Sequence, residues 1–242
     1  MNALQIVDQV RNRYCMCSSY MDEGFVEMRR SDRLEGLVEF KTYYRQPNQF
    51  RFEFKKNAPI GKLMNFYVCK NRQECFSHSP QMGSDIDRSD LNTAIAGVTG
   101  VSFGAAVHIP ALLMPAIKCH RLIDYENYEL MEDNSPQARD ECYILVVDDE
   151  GTKITLYVRK EDFSIAEIWK ESTPTGDDQV AEILERIPEE LRSQYVDILS
   201  SGDFTKKLLE PIKIRHEYRR TRFNEVIRED LFQPRHVPVR YG

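Results

Sequence analysis

A glycine-rich phosphate loop, a nucleophile elbow, an HExxH pair and a cysteine with a histidine partner close by are all missing from this chain. Nucleotide hydrolysis, serine-type acyl transfer and zinc-dependent proteolysis therefore have no local signature, and the sequence predicts a non-enzymatic protein without a cofactor. CxxC is absent too. Cys15, Cys17, Cys69, Cys75, Cys119 and Cys142 lack metal-site spacing, and His78, His108, His120, His216 and His236 each stand alone, which argues against a zinc site. Positive charge is not in excess either: 33 Lys and Arg against 39 Asp and Glu leave −6. No nucleic-acid partner is expected. Arg215, Arg219, Arg220 and Arg222 form a local basic run, read as a solvated strand face diluted by Glu217.

The longest gap in charge runs from Leu91 to Ile117, where no Asp, Glu, Lys or Arg occurs. Its length would span a bilayer. Gly97, Gly100, Gly104, Pro110 and Pro115 break it into pieces too short to cross as one helix, so an integral membrane protein is not expected. The segment reads instead as short helices plugging the open side of a curved sheet. The N-terminus MNALQIVDQV carries Asp8 and no uninterrupted apolar stretch. No secretory signal is visible in it, which implies the cytoplasm if Met1 is the native start.

What the chain does contain is strand pattern. In Val38 to Lys55, VEFKTYYRQPNQFRFEFK, two alternating runs flank Gln46-Pro47-Asn48. Phe50, Phe52 and Phe54 fall on one face, while Arg51, Glu53 and Lys55 fall on the other, which is read as wet. Pro47 fixes its own φ and biases Gln46 toward extension, so an antiparallel hairpin is predicted. Three phenylalanines on one strand need a deep apolar partner. Around this hairpin the sequence predicts a helix over Ala3 to Cys17 and strands near Tyr20 to Arg30, Leu34 to Tyr44, Gln49 to Lys55, Met64 to Lys70 and Glu74 to His78. Ser84 to Asp90 lacks the glycine and closing glutamate of a calcium loop and reads as a solvated turn whose Ser89 or Asp90 caps the next helix.

Further strands are expected over Arg121 to Met131, Glu141 to Val147, Ile154 to Arg159 and Ile165 to Glu171, with a hairpin at Asp149-Glu150-Gly151. Residues 174–209 change to helical period and form an acidic insert. Ile212 to Phe223 and Val226 to Phe232 read as closing strands. Cys69 and Cys75, symmetric about Arg72 in a predicted hairpin, are read as buried thiols, with a cross-strand disulfide as the alternative in an oxidising compartment.

The hairpin with its Pro-Asn-x-Phe, Tyr20-Met21-Asp22-Glu23-Gly24 after an amphipathic start, Gly97 to Gly100 followed by Ile109 to Leu113, and Asp230-Leu231-Phe232-Gln233-Pro234 together resemble the LolA/LolB-like lipoprotein carriers and their outer-membrane lipoprotein-sorting relatives. The resemblance covers most of the chain in order and pattern. It implies one α+β domain over residues 1–242, mainly β: a strongly curved antiparallel sheet of about ten strands, an incomplete barrel with helices covering its open side. It also implies a lid at about 89–117 over an acyl-chain cavity, and a periplasmic or envelope location. The expected lining is Phe40, Phe50, Phe52, Phe54, Phe103, Ile109, Leu112, Leu113, Met114 and Trp169, for a lipid, an acyl chain or another hydrophobic ligand. The same residues would equally make a dry core, with the 174–209 insert docking a protein partner. One departure stands out: the carriers place a lid-holding arginine directly before the hairpin proline, where this chain has Gln46, and Arg45 one residue earlier faces the other way.

Overall fold

The structure, a computed structural model, describes residues 1–57, 63–79, 85–88, 90–119, 121–131, 141–173 and 210–234. The predicted insert at 174–209, together with His120 and His236, lies outside these described residues.

Helix α1 spans Ala3–Cys15 and starts at a capping box, in which the side chain of Asn2 accepts from the Gln5 amide and the side chain of Gln5 accepts from the Asn2 amide. Its Ile6, Val7, Val10 and Tyr14 are buried. Strands β1 (Ser19–Arg30), β2 (Arg33–Arg45), β3 (Gln49–Asn57), β4 (Leu63–Lys70) and β5 (Cys75–His78) follow as the predicted meander. The run 85–88 is a correction: it forms strand β6 (Asp85–Arg88), which pairs Ser77 with Ile86 on β5. A short charged run of this kind suits an edge strand, where one side of the backbone must face water. Of the two expected caps, Ser89 and Asp90, it is Asp90 that caps α2 (Leu91–Thr99), its carboxylate accepting from the Thr93 amide at 3.0 Å.

Helix α3 (Ala105–Leu113) comes next, then β7 (Glu129–Leu130), β8 (Cys142–Asp149), β9 (Thr152–Arg159), β10 (Ile165–Ser172) and β11 (Ile212–Phe223). Glu150 and Gly151 both take positive φ, the backbone a two-residue hairpin turn demands. Of the strand expected over Arg121 to Met131 only β7 forms. Turns occupy the rest, fixed by the Asp124 carboxylate, which accepts from the Arg121 amide, and by the Tyr128 hydroxyl, which donates to the Leu122 carbonyl.

All pairings are antiparallel, in the order β6-β5-β4-β3-β2-β1-β11-β10-β9-β8-β7. The first and last of these strands, β1 and β11, therefore pair at the middle of an open sheet. Its two halves grow outward, and α2 and α3 lie on the connection from the β6 edge to the β7 edge. That connection has to cross a sheet face. This is why the charge-free segment is the cover: it lies along the concave face, which is lined by the alternate residues of every long strand, and its apolar side chains form one cluster with them.

The expected last strand, Val226 to Phe232, is instead a 3-10 turn at Glu229–Phe232 on the convex face. Arg45 donates to the Ile227 carbonyl and pairs with Glu229, while Arg51 donates to the carbonyls of Leu231 and Gln233. Side-chain anchors replace a strand ladder there. Arg51, expected in water, is 1% exposed beneath this strap. Cys69 lies opposite Phe76 and Cys75 opposite Lys70, which sends the two sulfurs to opposite faces and rules out the bridge between them.

Candidate functional site

The floor of the concave face is an aromatic row. Phe40 stacks on Phe52 at 5.9 Å, Phe52 meets Phe54 at 5.6 Å, and Phe54 lies parallel to Phe66 at 4.6 Å. The row exists because Phe40, Phe54 and Phe66 are cross-strand partners in register. Gly24 makes room for it: a Cβ there would lie 2.4 Å from the Phe40 ring.

Ile109, Leu112, Leu113 and Met114 descend from the cover and are buried in one cluster with Phe40, Phe50, Phe52 and Phe54. Phe103 is half-buried at the break between α2 and α3, where it and Gly104 both take positive φ. Its ring lies where a Cβ on Gly36 would be, 2.5 Å away, and carries the Lys56 ammonium at 4.4 Å. Nine of the ten predicted lining residues thus meet on one side. Trp169 does not: it packs on the convex face with Ile144 and Tyr157 and donates to Glu167 at 2.7 Å. A register shift between Ile165 and Glu167 reverses the alternation along β10, so Ile168 faces in and Trp169 faces out.

Among the described residues no hydrogen bond or ion pair joins α2 or α3 to the sheet. At the rim, a cleft of about 250 Å³ separates the end of the cover (Leu113, Met114, Ile117) from the β2–β3 hairpin (Tyr44, Pro47). Arg45 points away from this cleft to its strap, as its shifted position in the sequence implied.

Sequence reasoning missed the polar groups on the same face. On β1 the alternation Tyr20, Asp22, Gly24, Val26 carries a carboxyl inward, and that alternation was the available signal. The Tyr20 hydroxyl donates to Asp22 at 2.6 Å and the Thr42 amide donates at 3.1 Å. Burial still outweighs these bonds and pushes Asp22 up to about 7. The Tyr14 hydroxyl accepts from the Ile165 amide at 3.0 Å, tying α1 to β10. On β11 the alternation Ile214, His216, Tyr218 brings His216 under α3, where its ring meets that of His108 edge to face at 4.8 Å. Burial first, and the Lys170 charge second, lower both imidazoles, His216 to about 3. Both are neutral at ordinary pH. Among the described residues no group of His, Cys, Asp and Glu is placed to hold a metal ion, and no helix is long and apolar enough to cross a membrane.

The sequence matches no protein-family model and no curated protein. Solved structures similar to this chain include an outer membrane lipoprotein-sorting protein domain from Vibrio parahaemolyticus (9% identity, 94% of this chain and 95% of that one, TM-score 0.39). A LolA superfamily protein from Nitrosomonas europaea is similar at 12% identity over 97% and 98% of the two chains, with a TM-score of 0.33. A DUF1329 family protein from Desulfovibrio piger is similar at 9% identity over 96% and 98%, with a TM-score of 0.38. The first two are of the groups that the hairpin and chain-end motifs resemble. At these scores the likeness carries no argument about a ligand, which has to come from the side chains.

Proposed function

We propose that the protein is a non-enzymatic carrier for a lipid, acyl chain or similar hydrophobic ligand, received between the aromatic row and the helical cover. The observation that carries this reading is the nature of the seam between them: uncharged helices, in apolar contact with a phenylalanine row, with no hydrogen bond or ion pair to the sheet among the described residues. Such a seam opens without breaking a polar bond to the sheet; among the described residues the cover's polar link to α1 is a single thiol hydrogen bond from Cys15 to the Leu112 carbonyl at 3.3 Å. Its apolar contacts can be exchanged for those of a ligand, since each methylene buried contributes about 0.8 kcal/mol. The rim cleft offers access, and the left-handed pair Phe103 and Gly104 offers a bend about which α3 can swing.

Native mass spectrometry of the chain purified without detergent, followed by solvent extraction, tests this directly. A stoichiometric acyl-bearing adduct is expected. In a stopped-flow assay with a fluorescent fatty acid, Gly36→Val is expected to speed uptake, because the new side chain evicts the Phe103 ring from its seat at the bend. Circular dichroism should be unchanged. A closed, filled interior favours the rival reading, in which the core serves stability alone and a partner protein binds at 174–209. Bare protein that takes up no fatty acid, in the wild type or in Gly36→Val, would overturn the carrier reading and leave that rival.

A further inference from the structure

The floor beneath α3 is not wholly apolar, and the groups that interrupt it share one deficit. His108 sits on the cover and His216 on β11, 8% and 0% exposed. Nε2 of His108 and both ring nitrogens of His216 have no hydrogen-bond partner. A buried polar atom left unpaired costs roughly 1–3 kcal/mol, so a core serving stability alone gains nothing from such a pair. Lys170 faces the same side. His216 is paired with Ile168, and Lys170 stands two residues further along β10, paired with Ile214. Burial lowers its pKa, and Asp149 is the one acidic group that acts against this. The other carboxyl on this face, Asp22, is engaged by Tyr20 and Thr42. Two imidazoles with unused capacity thus meet where the cover rests, one ammonium faces the same side, and among the described residues no carboxylate pairs with them.

We propose that the ligand carries a single carboxylate, as a long-chain fatty acid does, and that His108, His216 and Lys170 receive this headgroup while the acyl chain runs along the aromatic row. The inference rests on the carrier reading and adds the headgroup to it. One carboxylate oxygen accepts from an N–H of each imidazole and the other from the Lys170 ammonium, so each ring's donor gains a partner and the buried positive charge is balanced. A singly charged headgroup matches one lysine and two neutral rings, whereas a phosphate dianion would leave charge uncompensated. Length is consistent as well. From β11 across β1, β2 and β3 to β4 is four strand spacings, about 19 Å, the reach of an extended chain of about sixteen carbons.

The test compares oleate with methyl oleate on the delipidated full chain, titrated below the concentration at which either self-associates. Oleate is expected to bind at least about tenfold tighter than the ester, as a charge-assisted hydrogen bond implies. His216→Phe and Lys170→Met should each bring that ratio close to one. Two variants are used so that one failing to fold leaves the other to decide. Equal affinities for acid and ester in the wild type would overturn the headgroup site and leave the carrier reading standing. A preference that survives both variants, or that disappears in Lys56→Met instead, would overturn this placement. If neither oleate nor its ester binds, the carrier reading falls and the headgroup site falls with it.

Discussion

Arg51→Ala is expected to lower the unfolding free energy by about 3–5 kcal/mol, the loss typical when one partner of a buried ion pair is removed. Few side chains in the described structure are buried as deeply for their size. Its guanidinium pairs with Glu53, donates to Gln233 at 2.8 Å and Leu231 at 3.3 Å, and lies 4.5 Å from the centre of the Tyr67 ring. Alanine removes all of these at once. It also takes one clamp off the 3-10 turn at Glu229–Phe232, leaving Arg45, Gln49 and the buried ring of Phe232 to hold it. Urea unfolding measures the loss, and limited proteolysis should reveal new cleavage close to that turn. Arg51→Met, which keeps much of the volume, should lose less. A cost below about 1 kcal/mol for alanine would show that the strap is held by Phe232, Arg45 and Gln49 without Arg51.

The second large effect is a pair of opposite pH dependences hidden in one interior. Asp22 has a folded pKa near 7 against about 3.9 unfolded. Its contribution is therefore full below about pH 4 and is lost as pH rises through about 7, a swing of up to about 4 kcal/mol. His216 runs the other way. Its folded pKa is about 3 and its unfolded value about 6.5, so its contribution is present above pH 6.5 and is lost as the pH falls toward 3. His108 is lowered as well and acts in the same direction as His216. In the wild type these slopes offset each other in part across about pH 4 to 6.5.

Asp22→Asn should unmask the histidines. Relative to wild type it is expected to gain stability at about pH 8, where the wild type bears the cost of a buried carboxylate, and to show little difference near pH 4. His216→Phe should show the reverse, comparing better with wild type in acid than in alkali. Urea midpoints at three pH values decide this. Wild-type and variant curves that run parallel would mean that neither group titrates between the folded and unfolded states as its burial implies.

The individual elements show why some of this was legible and some was not. Period two in Phe50, Phe52 and Phe54 placed the aromatic row correctly, because alternation is a property of any extended strand. Asp90 was readable as a cap because capping needs only three neighbouring residues. Trp169 was misplaced because one irregular residue on β10 reverses the faces, and nothing local announces it. Arg51 was assigned to water because its neighbours alternate correctly, yet a strap from 180 residues further along the chain covers it. The imidazole pair was invisible for the same reason: His108 and His216 meet only once α3 lies across β11.

By itself the sequence determined the long strands of the meander, the inward face of Phe50, Phe52 and Phe54, the polar start of α2, and a charge-free segment too broken to be one long helix. Each of these depends on side chains a few residues apart, whose geometry the backbone period sets. The tertiary structure alone decided that β1 and β11 pair at the middle of the sheet, which charged groups are buried, and which polar atoms are left without partners. Those outcomes depend on contacts between distant segments, and burial, which sets their electrostatics, does not exist until the segments have packed.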